Sequence, residues 1–240
     1  MIVAAMVAGA LTKGVTGSGL PTIAIPVMAG FLGVERAVVV MAIPTVVTNS
    51  WLLWEHRHHA GGTRHLPGML ACGAVGVGAG VWALTNLHAR SLSLALAGII
   101  VAYVAISLLR PAFALPEPVT RWLSPPMGFA GGVLQGATGI AGPLVATYVH
   151  AFRLPPRSYV FAITAQFQLF AAVQVAVLAG VGLYTRDRLV ESALALVPVL
   201  LVLPLGMRLA RRLDRRRFDY LVLGVLVLMG GKLVVDALGA

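Results

Sequence analysis

The chain has 240 residues, of which 59% are hydrophobic and 11% are charged, and its formal net charge is +10. A soluble globular domain carries about 25% charged residues, so this composition excludes an ordinary soluble protein. Several apolar blocks approach or reach the roughly 20 residues that a bilayer-spanning helix needs, and the short alternating strands of a membrane barrel are not seen. We therefore predict an all-α membrane protein, a polytopic helical bundle.

The positive charge indicates membrane topology rather than a nucleic-acid partner. Arginine excess marks cytoplasmic loops, whereas nucleic-acid binding needs a solvated basic face. We predict a multi-pass protein of the cell (inner) membrane with the Arg-rich loop 208–217 in the cytoplasm. Cys72 is the single cysteine, which excludes an intramolecular disulfide.

The chain divides into two halves with the same order of apolar segments. The first predicted repeat, 1–110, opens with a segment from Ile2 to about Phe31 that is broken at Lys13–Pro21. Three less interrupted blocks follow, at about Ala37–Trp54, Leu66–Leu87 and Leu92–Leu109. A Pro-rich cytoplasmic linker is predicted at 111–126.

The second predicted repeat, 127–240, opens with Met127–Phe152, which is broken at Gln135–Pro143. Three blocks follow here as well, at about Tyr159–Tyr184, Leu189–Met207 and Tyr220–Leu238. An offset of roughly 122 positions superimposes the two broken segments and aligns Lys13 with Gln135. Their small and turn-forming residues then match as pairs: Gly9 with Gly131, Gly14 with Gly136, Thr16 with Thr138, Gly17 with Gly139 and Pro21 with Pro143. The halves are therefore predicted to be related by duplication.

The orientation of the two repeats depends on whether each broken segment crosses the membrane or returns as a hairpin. The hairpin places more of the loop arginines on the cytoplasmic side than a single crossing does. We therefore predict inverted repeats, each a broken Gly-rich helical hairpin followed by three transmembrane helices, with both termini outside.

The broken segments read LTKGVTGSGLPTIAIP and LQGATGIAGPLVATY. Non-helical backbone survives at membrane depth only inside protein or beside water, and paired discontinuous helices indicate the substrate site of a transporter. Pro21 and Pro143 are predicted to begin the second half-helices, because proline is favoured in the first helical turn. Two half-helix starts that meet would present free N–H groups and positive dipole ends to an anion.

A predicted anion-binding set follows from these segments and from the polar residues at membrane depth. It comprises Lys13, Gly14, Thr16, Gly17, Ser18, Gly19, Asn49, Gln135, Gly136, Thr138, Gly139, Gly142 and Gln166. Alternatives remain open for several members. Lys13 can snorkel to the interface, Thr16, Ser18 and Thr138 can cap half-helices, and Asn49 and Gln166 can bond neighbouring helices.

Other patterns indicate structure rather than chemistry. Gly73, Gly76 and Gly80 have the small-xxx-small spacing of close helix packing. The histidines of the loop 56–65 lack the ordered spacing of a metal site, and no phosphate-binding loop or catalytic triad is found. We predict neither an enzyme nor a cofactor-binding protein.

At Gly9–Pro26 and Gly131–Pro143 the sequence resembles the sulfite exporter TauE/SafE family, and the duplicated layout extends the resemblance along nearly the whole chain. The resemblance implies transport of small anions such as sulfite or sulfonates. We expect a secondary or potential-driven transporter whose partners are a small anion and the lipid bilayer, and the sequence leaves a homo-oligomer open. The alternative is a non-transporting membrane scaffold or assembly factor.

Overall fold

The computed structural model describes residues 2–16, 19–59, 66–109, 116–209, 224, 227–228 and 230–235, and the regular elements in these ranges are helical. In chain order they are α1 (Ile2–Thr16), α2 (Leu20–Leu32), α3 (Val34–His56), a short 3-10 turn (Arg57–His59), α4 (Leu66–Asn86), α5 (Ala89–Leu109), α6 (Glu117–Thr138), α7 (Gly142–His150), α8 (Pro156–Gly180) and α9 (Arg186–Leu209). Residues 230–235 are also helical. The loop 208–217 and the last predicted block lie largely outside the described residues.

Within this described part, five helices are long and apolar enough to cross a membrane, namely those at Val34–His59, Leu66–Asn86, Ala89–Ile106, Arg157–Gly180 and Arg186–Gly206. Their outward faces are apolar, as the exposed side chains of Val75, Val101, Leu194 and Leu201 illustrate. A soluble monomer rarely exposes large contiguous apolar patches. The prediction of an all-α membrane protein is confirmed.

The helix bounds repeat with the offset that the sequence predicts. The ends of α1 and α6, the starts of α2 and α7, and the starts of α3 and α8 are each separated by about 122 positions. One bound differs from expectation, since α6 begins at Glu117, inside the predicted linker 111–126. Pro118 occupies the first helical turn, where its missing N–H costs no hydrogen bond.

Both broken segments form two helices that pack against each other. A side chain added at Gly9 of α1 would meet Leu20 and Ala24 of α2, and one added at Gly131 of α6 would meet Val145 of α7. In the second half the Tyr148 hydroxyl donates to the Thr120 carbonyl at 2.9 Å. That bond joins the end of α7 to the beginning of α6, so α7 returns along α6 as a hairpin.

The two long helices that follow the broken segments, α3 and α8, run antiparallel. Gln168 Nε2 donates to Ser50 Oγ at 2.9 Å near the end of α3, and the Tyr184 hydroxyl, beyond the end of α8, donates to the Val39 carbonyl near the start of α3. α3 and α8 occupy equivalent places in the two predicted repeats. Inverted repeats require equivalent helices to run antiparallel, as these two helices do. Inversion of the complete halves, the repeat limits and the membrane orientation remain predictions.

Two ion pairs join the first turns of α3 and α9. Arg188 Nη2 lies 2.7 Å from Glu35 Oε1, and Arg36 pairs with Glu191. All four side chains keep part of their surface accessible, so solvent screens both pairs. The pairs set the relative position of the two helix starts more than they stabilise the fold.

Helices α4 and α6 join the two halves through backbone contact. A Cβ atom added at Gly76 would lie 2.2 Å from the Phe129 carbonyl oxygen, and one added at Gly132 would lie 2.0 Å from that of Gly73. Gly80 contacts Gly136 in the same way. The prediction of close packing at Gly73, Gly76 and Gly80 is confirmed, and the partner surface is a second glycine series on α6.

Candidate functional site: a cavity between two half-helix starts

The starts of α2 and α7 meet at one cavity. Gly19, Pro21 and Thr22 line it from the first half, and the segment from Gly139 to Gly142 lines it from the second. A Cβ atom added at Gly142 would lie 3.7 Å from Thr22 Oγ1, so the two starts are in near contact. The remaining lining residues are Lys13, Thr45, Asn49, Gln135 and Phe167.

Among the described residues, no side chain caps the first turn of either half-helix. Pro21 and Pro143 stand at the N1 or N2 positions, as predicted, and the N-cap residues Gly19 and Ala141 provide no side-chain hydrogen bond. The first backbone bonds of these helices reach back from Ile23 to Gly19 and from Val145 to Ala141. The preceding N–H groups of each helix therefore have no acceptor among the described residues, and each helix start adds a positive dipole end of roughly half a charge.

Lys13 lies inside the protein beside this cavity and is 2% exposed. Its Nζ donates to Thr48 Oγ1 at 2.9 Å and to Asn49 Oδ1, both on α3. This position excludes the snorkelling alternative, because the side chain does not reach an interface. A buried ammonium group is costly unless an opposite charge accompanies it, and the described lining residues include no Asp or Glu.

Asn49 supplies a second donor. A Lys side chain only donates, so the Asn49 atom that faces Lys13 is the oxygen, and the amide nitrogen points elsewhere. That nitrogen, Nδ2, is buried without a hydrogen-bond partner among the described residues, and Asn49 is 2% exposed. An unpaired buried donor costs about 1–3 kcal/mol, and a bound anion would remove that cost.

Gln135 occupies the equivalent position in the second half and bonds the equivalent long helix. Its Nε2 donates to Gln174 Oε1 at 3.0 Å, and Gln174 Nε2 donates to the Gln135 carbonyl at 2.7 Å. Lys13 is thus held by α3, and Gln135 is held by α8. The repeat alignment pairs Lys13 with Gln135, and both residues line the same cavity.

The other predicted residues are distributed differently. Gly136 packs against Val77, Gly80 and Val81 of α4 rather than against the cavity. Thr138 Oγ1 donates to the Leu134 carbonyl at 2.7 Å and accepts from the Ile140 N–H at 3.4 Å, so it bonds the local backbone at the end of α6. Gln166 is fully buried and donates to the Met69 carbonyl at 3.3 Å, away from the described cavity lining.

The first broken segment is described only in part. Gly14 and Thr16 belong to the last turn of α1, but their side-chain surroundings are not described. Gly17 and Ser18 lie outside the described residues. Their predicted binding roles therefore remain predictions.

The cavity also has walls that sequence reasoning did not name. Thr45 precedes Asn49 by one helical turn, so the periodicity of α3 could have identified it. Thr22 directly follows Pro21, so its place at the predicted helix start could also have identified it. Phe167 carries no sequence signal that separates it from the other apolar residues of α8.

The cavity volume is ≈ 20 Å³, which exceeds the roughly 10–15 Å³ that one water molecule needs. A solute of several heavy atoms requires more room.

A family model described as Sulfite exporter TauE/SafE matches residues 1–233. The chain belongs to the TauE/SafE sulfite exporter family. No curated protein and no solved structure matches it. TauE/SafE proteins are membrane transporters rather than enzymes, so this protein is a multi-pass membrane transporter of the sulfite or sulfonate type.

Gly139 offers a test of the cavity wall in this TauE/SafE protein. Gly139 has φ +71, and a Cβ atom there would lie 2.3 Å from Ile25 Cδ1 on α2. Gly139→Ala should therefore displace Ile25 and the neighbouring start of α2, and we expect anion affinity to fall roughly tenfold, which corresponds to about 1.4 kcal/mol. Isothermal titration of the purified protein with sulfite would measure this change.

Gly182→Ala is the matched control, because Gly182 has φ +75 and open space around it. Both substitutions carry the same left-handed backbone strain of about 1–2 kcal/mol. Only the first one moves a cavity wall. Equal losses of affinity in the two variants would show that backbone strain, and not the wall, is responsible.

Proposed function

We propose that this protein carries sulfite or a closely related small anion across the cell membrane, with the binding site at the cavity between α2 and α7. The observation that carries the proposal is the donor set of Lys13, Asn49 Nδ2 and two uncapped helix starts, without a carboxylate in the described lining. Such a set is complementary to an oxyanion. The same set would be unfavourable for a cation.

The small cavity volume supports a transport cycle in which the site is closed between openings to either side. In transporters built from repeats, one repeat moves against the other around a fixed midplane site. Here the two repeats contribute opposite walls, with Lys13 on one and Gln135 on the other. Movement of the halves would open this cavity first.

We propose that the membrane potential favours export. A negative cell interior favours the exit of an anion by about 2.3 kcal/mol per charge per 100 mV. The described cavity lining offers no carboxylate for a proton relay, which supports potential-driven movement over proton coupling.

Flux measurements on purified protein in liposomes test the proposal. Sulfite-loaded vesicles should release sulfite faster than protein-free vesicles, and an inside-negative potassium diffusion potential should accelerate the release. A vesicle population containing the protein but showing the protein-free rate, at both potentials, would contradict the proposal. That result would favour the scaffold alternative.

A further inference from the structure

The cavity is bordered by a hydrogen-bond acceptor as well as by donors. Gln174 Nε2 donates to the carbonyls of Gln135 and Gly136, at 2.7 and 3.4 Å, so its Oε1 is the atom that faces the Gln135 side chain. Gln135 must therefore use its own Nε2 for that contact, as the 3.0 Å bond shows. The Gln135 Oε1 is left as the free atom of the amide.

This oxygen has no hydrogen-bond partner among the described residues. Gln135 as a whole is 4% exposed. The open space that Gln135 borders is the cavity itself. We therefore take the Gln135 amide oxygen as the atom that this residue offers to a bound solute.

The Gln135 amide oxygen is unfavourable for binding an anion that has only hydrogen-bond acceptor atoms. It becomes favourable when the anion carries its own N–H or O–H group, because the Gln135 oxygen then gains a partner. The bond to Gln174 fixes the orientation of the Gln135 amide, because exchange of its oxygen and nitrogen would break that bond.

We propose that the site selects anions that carry a hydrogen-bond donor, and that it therefore binds hydrogen sulfite in preference to fully deprotonated sulfite. Gln135 is the residue that sets this selectivity. The inference rests on the proposed function, since it concerns the same cavity. Lys13 is the only titratable residue of the described lining, so the test must separate its behaviour from that of the solute.

Sulfamate and methanesulfonate form a suitable probe pair. Both are monoanions of similar size near neutral pH, but sulfamate carries N–H donors where methanesulfonate carries a methyl group. We expect sulfamate to bind about tenfold more tightly to the unsubstituted protein, which is the discrimination that one satisfied buried hydrogen bond supplies. In Gln135→Met the ratio of the two dissociation constants should fall to about one.

Gln168→Met is the matched control, because Gln168 lies on α8, bonds Ser50 and is not among the described lining residues. The sulfamate preference should persist in this variant. A preference that also persists in folded Gln135→Met, or equal binding of the two probes to the unsubstituted protein, would overturn the inference.

A second measurement uses the unsubstituted protein alone. Between pH 6 and pH 8 the apparent dissociation constant for total sulfite should rise more than that for methanesulfonate. Methanesulfonate remains a monoanion in this range, so any change in its dissociation constant reports on Lys13 alone. Parallel changes would overturn the inference even if Gln135→Met fails to fold. Binding of none of the three anions would instead contradict the proposed function.

Discussion

Replacement of Lys13 by Met should weaken anion binding by about 10- to 100-fold, because a hydrogen bond to a charged group contributes about 1.5–3 kcal/mol. Met preserves the length and apolar stem of the side chain but removes the donor that is buried between α1 and α3. We expect sulfite efflux from proteoliposomes to fall by a similar factor at subsaturating concentration.

Thermal unfolding reports the same loss without a transport assay. At a sulfite concentration 100 times its dissociation constant, binding stabilises the folded protein by about 2.7 kcal/mol, and a 100-fold weaker site reduces this to about 0.4 kcal/mol. The sulfite-dependent rise in Tm should therefore nearly disappear in Lys13→Met.

Lys232→Met is the control, since it removes the other lysine of the chain at a position outside the described cavity lining. The Lys232 Nζ lies 5.3 Å from the centre of the Phe31 ring. Its replacement should leave sulfite efflux and the sulfite-dependent Tm rise unchanged. An unaltered efflux in Lys13→Met would remove Lys13 from the site.

Gly76→Ala should destabilise the whole bundle. The added methyl group would lie 2.2 Å from the Phe129 carbonyl oxygen, and this backbone atom cannot move unless α6 separates from α4. Overpacking of a tight interface costs about 1–3 kcal/mol. Because α6 also carries Gln135, the separation should widen the cavity and reduce sulfite affinity. A lower unfolding temperature in detergent would measure the first effect, and titration with sulfite the second.

The neighbouring substitution Gly78→Ala separates packing from the intrinsic effect of alanine. Gly78 lies on the same helix with nothing within 4 Å of its added Cβ atom. Alanine favours a helix over glycine by about 1 kcal/mol, so Gly78→Ala should be neutral or stabilising. If the two variants unfold at the same temperature, α4 and α6 do not pack as closely as described.

The agreement between sequence and structure is best where a local rule acts. Pro21 and Pro143 begin α2 and α7 because a proline ring suits the first turn of a helix wherever that helix lies. Gly73, Gly76 and Gly80 recur at the spacing of one helix face, so their packing role was visible without a partner. Pro125 and Pro126 lie within α6, although sequence rules predict a break at proline.

The sequence predicted the roles of polar side chains within the membrane-spanning helices less well. Gln166 and Gln174 both lie on α8, and both are almost fully buried. Gln166 bonds the backbone of α4, whereas Gln174 holds Gln135 at the cavity. Nothing in their sequence surroundings separates these two roles, because the neighbour of a helix face depends on which helix packs there.

The sequence by itself determined that this protein lies in a membrane, and that two segments about 122 positions apart each contain a broken helix with a proline at its restart. These properties follow from composition, periodicity and backbone chemistry, which act over a few residues. Only the tertiary structure decided that α2 and α7 begin at the same cavity, and that Lys13, Asn49 and Gln135 line it. Those contacts join residues far apart in the chain, so they depend on how the halves pack.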